Sequence, residues 1–219
     1  IRFPPGIQLC ITPVAMSASF YFSLRPAVPL TVCVLICQAA GRPVTVSADK
    51  GGKAVRLLII GDTHIPSRGT RLPTALQEDL AAAEMIIHTG DFDSPAAYEA
   101  LATLPGTLRA VQGNMDGPQL KELLPEVLRF QLAGLNFVVT HGHLWGRPAP
   151  AFMAYQFGEE ADVVIYGHLH QAFVRTFAGC TVVNPGSPVD PRVGPAAYVV
   201  ATLEDGRFQA EVKELTAAP

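Results

Sequence analysis

Five short clusters of oxygen and nitrogen donors punctuate the chain, each beginning where an apolar run ends. They are Gly61-Asp62-Thr63-His64, Gly90-Asp91-Phe92-Asp93, Gly113-Asn114-Met115-Asp116, His141-Gly142-His143 and Gly167-His168-Leu169-His170. Asp62, His64, Asp91, Asn114, His141, His168 and His170 offer carboxylate, amide and imidazole ligands but no thiolate, which excludes a cysteine-built structural zinc site. Such donors suit divalent manganese, iron, nickel, cobalt or zinc, with manganese the first expectation. Seven donors exceed what one tetrahedral ion uses, and they divide naturally between two ions that share a carboxylate. Two cations about 3.5–4 Å apart can activate a hydroxide and clamp a phosphate for in-line displacement. Two divalent charges outweigh Asp62, Asp91 and that hydroxide by one positive charge, so the local sign favours an anionic substrate.

Strands must bring these clusters together. Val55–Ile60, Met85–His88, Leu108–Val111, Leu135–Val139 and Val163–Tyr166 read as strands, and each runs into one cluster. In open α/β sheets the carboxyl ends of the strands share one rim, where ligands bind. Helical spacing predicts a helix over Leu72–Ala83 with Pro73 in its first turn, and another near Pro148–Phe157. A third begins with Ser94 as N-cap and Pro95 in the first turn and runs to about Thr103. Phe130–Leu132, Phe173–Phe177, Thr181–Val183, Tyr198–Leu203 and Phe208–Val212 complete the strands. Early βαβ units followed by strands with tight turns predict an α/β domain with parallel and antiparallel pairing.

Each cluster alone has an ordinary explanation, since Gly, Asp and Asn favour turns for backbone reasons. Five in succession, each after a strand, argue for a metal site. His88 lies inside a strand and reads as a hydrogen-bonded core histidine. Asp93 either orients a ligand or caps the following helix, and capping is the simpler expectation.

The rest of the composition narrows the class. Of 219 residues, 49% are hydrophobic, which suffices for a packed core and excludes a mainly disordered chain. A net charge of −3 argues against gripping nucleic acid by bulk positive charge. Residues 1–52 form an N-terminal extension, distinct from a domain over 53–219, with Asp49-Lys50-Gly51-Gly52 as linker. Up to Ala48 the extension holds no acidic residue and is broken by prolines; its apolar run Leu30–Ala40 is shorter than the roughly 20 residues of a membrane span. It reads as an unstructured or artefactual extension, with a signal or transit peptide as the alternative, and Met16 or a later codon as a candidate start. Cys10, Cys33 and Cys37 lie there, leaving Cys180 alone in the main body, which suits a reducing compartment and a cytoplasmic location.

This constellation resembles the calcineurin-like metallophosphoesterase family, and its small prokaryotic phosphodiesterase branch in particular, over about residues 54–212. Asn184-Pro185-Gly186-Ser187 looks like that branch's signature after a late strand. The resemblance implies two mixed β-sheets packed as a sandwich and flanked by helices. It further implies one metal on Asp62, His64, Asp91 and His170, and another on Asn114, His141, His168 and the bridging Asp91, with His143 close to the phosphate. Larger family members place a histidine directly after the motif asparagine; here Met115 stands there and cannot donate a proton. His143, Asp116 or metal-bound water is then left as the general acid, and activated leaving groups should react faster than poor ones.

Arg68, Arg147 and Arg192 fall in predicted loops and could grip a phosphate, although solubility explains Arg68 and Arg192 as well. Trp145 either stacks on a substrate base or fills the rim. Ser187 has no nearby base in sequence and Cys180 lies within or beside a strand, so a nucleophile scheme finds little support. The leading expectation is hydrolysis of a small-molecule phosphate ester, a phosphodiester by preference, by a dinuclear metal centre. The alternatives are a phosphomonoesterase or nucleotidase, and a non-catalytic scaffold resembling the retromer subunit of this fold. A homo-oligomer is compatible with either.

Overall fold

The computed structural model describes residues 44–46 and 54–215. The run Leu30–Ala40, Met16, Cys10, Cys33, Cys37 and the Asp49–Gly52 linker lie outside the described residues. β1 (Val44–Val46) falls in the segment read as an extension, and it pairs in parallel with β5 (Val127–Leu132).

β2 (Val55–Ile60) turns Leu57 and Ile59 to one side and Leu58 and Ile60 to the other, all four at 1% exposure or less. Such a strand must be covered on both faces, and that requirement builds the layers. β2 pairs in parallel with β3 (Met85–His88), and β3 in parallel with β4 (Thr107–Ala110). On the other edge of β2 lies the antiparallel hairpin β10 (Ala196–Glu204) and β11 (Arg207–Leu215). The five-stranded sheet is ordered β11-β10-β2-β3-β4. The second sheet adds β6 (Leu135–Thr140), β7 (Val163–Tyr166), β8 (Ala172–Phe177) and β9 (Cys180–Pro185). Its six strands are ordered β1-β5-β6-β7-β9-β8, with β6, β7 and β9 parallel and hairpins at β5–β6 and β8–β9.

Leu57, Ile59 and Ile87 of the first sheet, with Val111 just past β4, meet Phe130, Phe137, Val139 and Ile165 of the second, forming the sandwich core. The outer face of the first sheet is covered by α1 (Gln77–Ala82), α2 (Pro95–Ala102) and α3 (Pro118–Leu123), through Leu80, Leu101 and Leu120. On the second, α4 (Pro150–Phe157) presses Met153 and Phe157 onto Val138, Val164 and Val182. Each fully buried aliphatic or aromatic side chain contributes about 1.5–3 kcal/mol. These three apolar layers are the rigid support from which the rim loops project.

The mixed two-sheet sandwich agrees with expectation, and most strands lie within two residues of their predicted bounds. The helix over Leu72–Ala83 is shorter than expected: Pro73 is extended at ψ 140, a 3-10 turn fills Thr74–Leu76, and α1 starts only at Gln77. α3 went unpredicted because six residues give too little periodicity to read. Among the described residues no helix is long and apolar enough to cross a membrane.

Candidate metal centre

Past the end of the β2–β3 ladder the two loops stay joined. Asp62 N–H donates to Gly90 O and His64 N–H to Asp91 O, both at 3.0 Å. Keeping these bonds while aiming the side chains inward requires left-handed backbone. Asp62, His64, Asp91, Asp93, His168 and His170 have φ of 50, 46, 59, 73, 67 and 53°. For a residue with a Cβ that conformation costs about 1–2 kcal/mol, so the strain is concentrated at one rim. The other described non-glycine residues with positive φ, Ala133, Ala178 and Asp205, each precede a glycine in a hairpin turn. Gly113 is required by close approach, because a Cβ there would run into the Asp91 carboxylate.

Sequence-distant donors meet on this rim. Asp62, His64, Asp91, His141 and His170 form a floor at 2% exposure or less. Asp91 Oδ2 lies 3.6 Å from His64 Nε2 and 3.3 Å from His141 Nε2, and Asp62 Oδ1 lies 3.2 Å from His170 Nε2. Asn114 joins through Oδ1, 3.0 Å from His141 Nε2. His168 donates its backbone N–H to both Asp62 oxygens, at 3.2 and 3.0 Å, and its ring centroid lies 5.1 Å from that of His141. Two groups, Asp62/His64/His170 and Asp62/Asp91/His141, are compact enough to hold a metal ion.

The far sides of the rings define their chemistry. His64 Nδ1–H donates to Asp93 Oδ1 at 2.9 Å, His141 Nδ1–H to Thr89 O at 2.8 Å and His170 Nδ1–H to Asp190 O at 2.5 Å. With Nδ1 committed as a donor, each ring turns its Nε2 toward the buried carboxylates, the nitrogen that a metal-ligating histidine offers once its proton is displaced. No Lys or Arg among the described residues pairs with Asp62 or Asp91, whose ion partners are histidines alone. Buried carboxylates need a cationic partner, and this donor set fits divalent cations.

Electrostatics point the same way. Burial alone would raise Asp91, yet the hydrogen bond and charge of His141 outweigh it and hold the carboxyl at about 2. Burial would lower His141, but Asp91 and Asp62 carry it up to about 9. The protein on its own therefore places a protonated imidazole against the carboxylates, where a metal cation would substitute for the proton.

Asn114, His143 and His168 form a more open rim above the floor. The His143 ring lies 5.3 Å from His141 and 6.4 Å from His168, and its Nδ1 is buried without a hydrogen-bond partner. Asp116 departs from expectation. Its carboxylate accepts the backbone N–H groups of Gly113, Asp91, Phe92 and Asp93 at 2.7, 3.1, 2.8 and 3.0 Å. Burial pushes this carboxyl up while the four N–H donors pull it down, and at 3% exposure it ties two loops together with its oxygens turned to backbone and not to a substrate.

Asp93 is also corrected: Ser94 Oγ caps α2 by accepting from Ala97 N–H, while Asp93 holds His64 and Ser67. His88 is the expected core histidine. Its Nδ1 accepts from Gly90 N–H and its Nε2 bonds Thr63 Oγ1, both at 3.1 Å. Trp145 packs edge-on against Phe157 at 5.4 Å, as a rim aromatic. Arg192 pairs with Asp190, and Ser187 is an internal hydrogen-bonding group with no histidine beside its hydroxyl.

The profile of the calcineurin-like phosphoesterase superfamily domain matches residues 55–206. A probable metallophosphoesterase of Methanothermobacter thermautotrophicus is 35% identical over 70% of this chain and 89% of its own length. A phosphodiesterase of Methanocaldococcus jannaschii is 31% identical over 60% of this chain and 83% of its own. Among solved structures, vacuolar protein sorting 29 from Cryptosporidium parvum superposes with a TM-score of 0.62 at 22% identity, covering 75% of this chain and 99% of that one.

Proposed function

Since the chain belongs to the calcineurin-like phosphoesterase superfamily, we propose that it hydrolyses a small phosphodiester at a centre for two divalent cations, manganese first among them. Asp62, His64 and His170 would hold one cation, Asn114, His141 and His168 the other, and Asp91 would bridge. The observation that carries this reading is the convergence of three Nδ1-anchored histidines on two buried carboxylates that have no Lys or Arg partner among the described residues. When bound, such cations supply an activated water and neutralise charge on a phosphate.

The chain's own groups do the rest. Asp93, Thr89 O and Asp190 O orient the rings so that each Nε2 stays available. His143, on the more open rim near His141 and His168, would meet a nonbridging phosphate oxygen or the departing ester oxygen through its ring. Asp116 holds the Asp91 and Asn114 loops at fixed separation, leaving no dedicated acid beyond His143. Met115, 55% exposed beside Asn114, carries no proton, so an activated leaving group is favoured. The identity to the Methanocaldococcus phosphodiesterase supports the diester preference.

The test is to strip the full chain of metal, restore single divalent ions and compare diester with monoester cleavage. Diesterase activity that returns with a divalent ion and is abolished in Asp91→Asn is expected. Activity indifferent to chelator would defeat the reading. A chain inert under every ion that nevertheless captures a protein partner would favour the scaffold function instead.

A further inference from the structure

Asn184-Pro185-Gly186-Ser187 contributes no candidate ligand, yet its polar side chains are fully enclosed: Asn184 is 0% and Ser187 1% exposed. The Ser187 hydroxyl makes three hydrogen bonds. It donates to Asp62 O at 2.7 Å and accepts from Val189 N–H at 3.2 Å and Asp190 N–H at 2.8 Å. The carbonyl of the same Asp190 receives His170 Nδ1–H at 2.5 Å, and His170 Nε2 faces Asp62 Oδ1 at 3.2 Å.

These contacts close a ring. It runs from the Asp62 carboxylate to the His170 imidazole, through the Asp190 backbone to the Ser187 hydroxyl, and back to the Asp62 carbonyl. Asp62 and Ser187 are 125 residues apart, and one hydroxyl joins their loops. Both Asp62 and His170 are held at positive φ, a conformation that relaxes unless the surroundings hold it. Asn184 braces the neighbouring turn, donating Nδ2–H to Gly167 O at 2.8 Å.

From this ring we infer that Ser187 is a positioning residue that sets the separation of Asp62 and His170, and so the affinity of the cation they share with His64. The inference rests on the metal-centre reading above and adds a division of labour to it. Ser187 governs the Asp62/His64/His170 position, whereas the Asn114/His141 position is tied down by Asp116 and Thr89.

The experiment is calorimetric titration of manganese into chelator-treated full chain, with melting temperature measured alongside. Wild type, Ser187→Ala, the near-isosteric Ser187→Cys, Asn114→Ala and a packing control are compared. Leu203→Ala is the control, because Leu203 is 1% exposed and pairs with Val55 at the end of β2 remote from the site. In wild type two binding steps are expected. Ser187→Ala should weaken one step by about ten- to a hundred-fold, the loss typical of removing a ligand-orienting partner. Asn114→Ala should weaken the other step, and Ser187→Cys should shift the same step as Ser187→Ala by less. Leu203→Ala should lower the melting temperature and move neither. If both steps survive in Ser187→Ala and Ser187→Cys, or both fall together, the inference is overturned while the metal centre stands. A wild type that takes up no divalent cation overturns the metal reading and this inference together.

Discussion

His88 provides a measurement that reports on the seam between the first two ligand loops. Its ring is fully buried, stacked on Phe92 at 3.6 Å, and bonded to Thr63 on one side and Gly90 on the other. Burial, the largest influence, depresses its pKa to about 3. In the unfolded chain a histidine titrates near about 6.5. Below that value the unfolded chain binds a proton that the folded one refuses until about pH 3, so stability falls as pH falls through this window. One proton corresponds to about 1.4 kcal/mol per pH unit, or ~2 kcal/mol between about pH 7.5 and about pH 5. The assay is urea unfolding of the chelator-treated full chain at those two pH values, in wild type and His88→Gln. The variant should be about 1–3 kcal/mol less stable at the higher pH, because Gly90 N–H loses its acceptor. Wild type should then lose ~2 kcal/mol more than the variant on acidification, since every other titrating group is common to both. Equal losses would show that His88 is not held neutral by the fold.

Other perturbations separate the roles of the groups around the site. Asp93→Ala removes the acceptor of His64 Nδ1–H, and titration should show manganese bound about ten- to a hundred-fold more weakly; unchanged affinity would return Asp93 to a purely local role. Asp116→Asn places amide hydrogens against backbone N–H groups, which should cost about 1–3 kcal/mol in chemical denaturation and loosen the Asp91 and Asn114 loops. A variant of wild-type stability with a shifted acid limb in its pH–rate profile would instead restore Asp116 as a proton donor. Met115→His places a proton donor beside Asn114, and should speed alkyl diesters by about 10²-fold while changing nitrophenyl diesters little. Parallel changes for both substrates would show that leaving-group protonation does not limit the rate.

Much of the site was legible without coordinates, because a strand followed by Gly and a donor residue is a local pattern. β2, β3 and β7 could be read as apolar runs with sharp ends, and parallel pairing carries such ends to a common rim. Asp62, His64, Asp91, Asn114, His141, His168 and His170 were therefore named from sequence, and the fold brings them within reach of one another. What the sequence could not assign was the work of polar side chains whose partners are backbone atoms of distant loops. Asp116 read as an acid and Asp93 as a cap, since a carboxylate's residue type does not say which N–H groups will surround it. Ser187 read only as part of a signature turn without a nearby base, because the residues it joins lie 125 positions apart along the chain. Only the packing of the two sheets placed free N–H and C=O groups beside these side chains. Tertiary structure thereby decided which polar residues face the ligand and which hold the strained backbone that presents it.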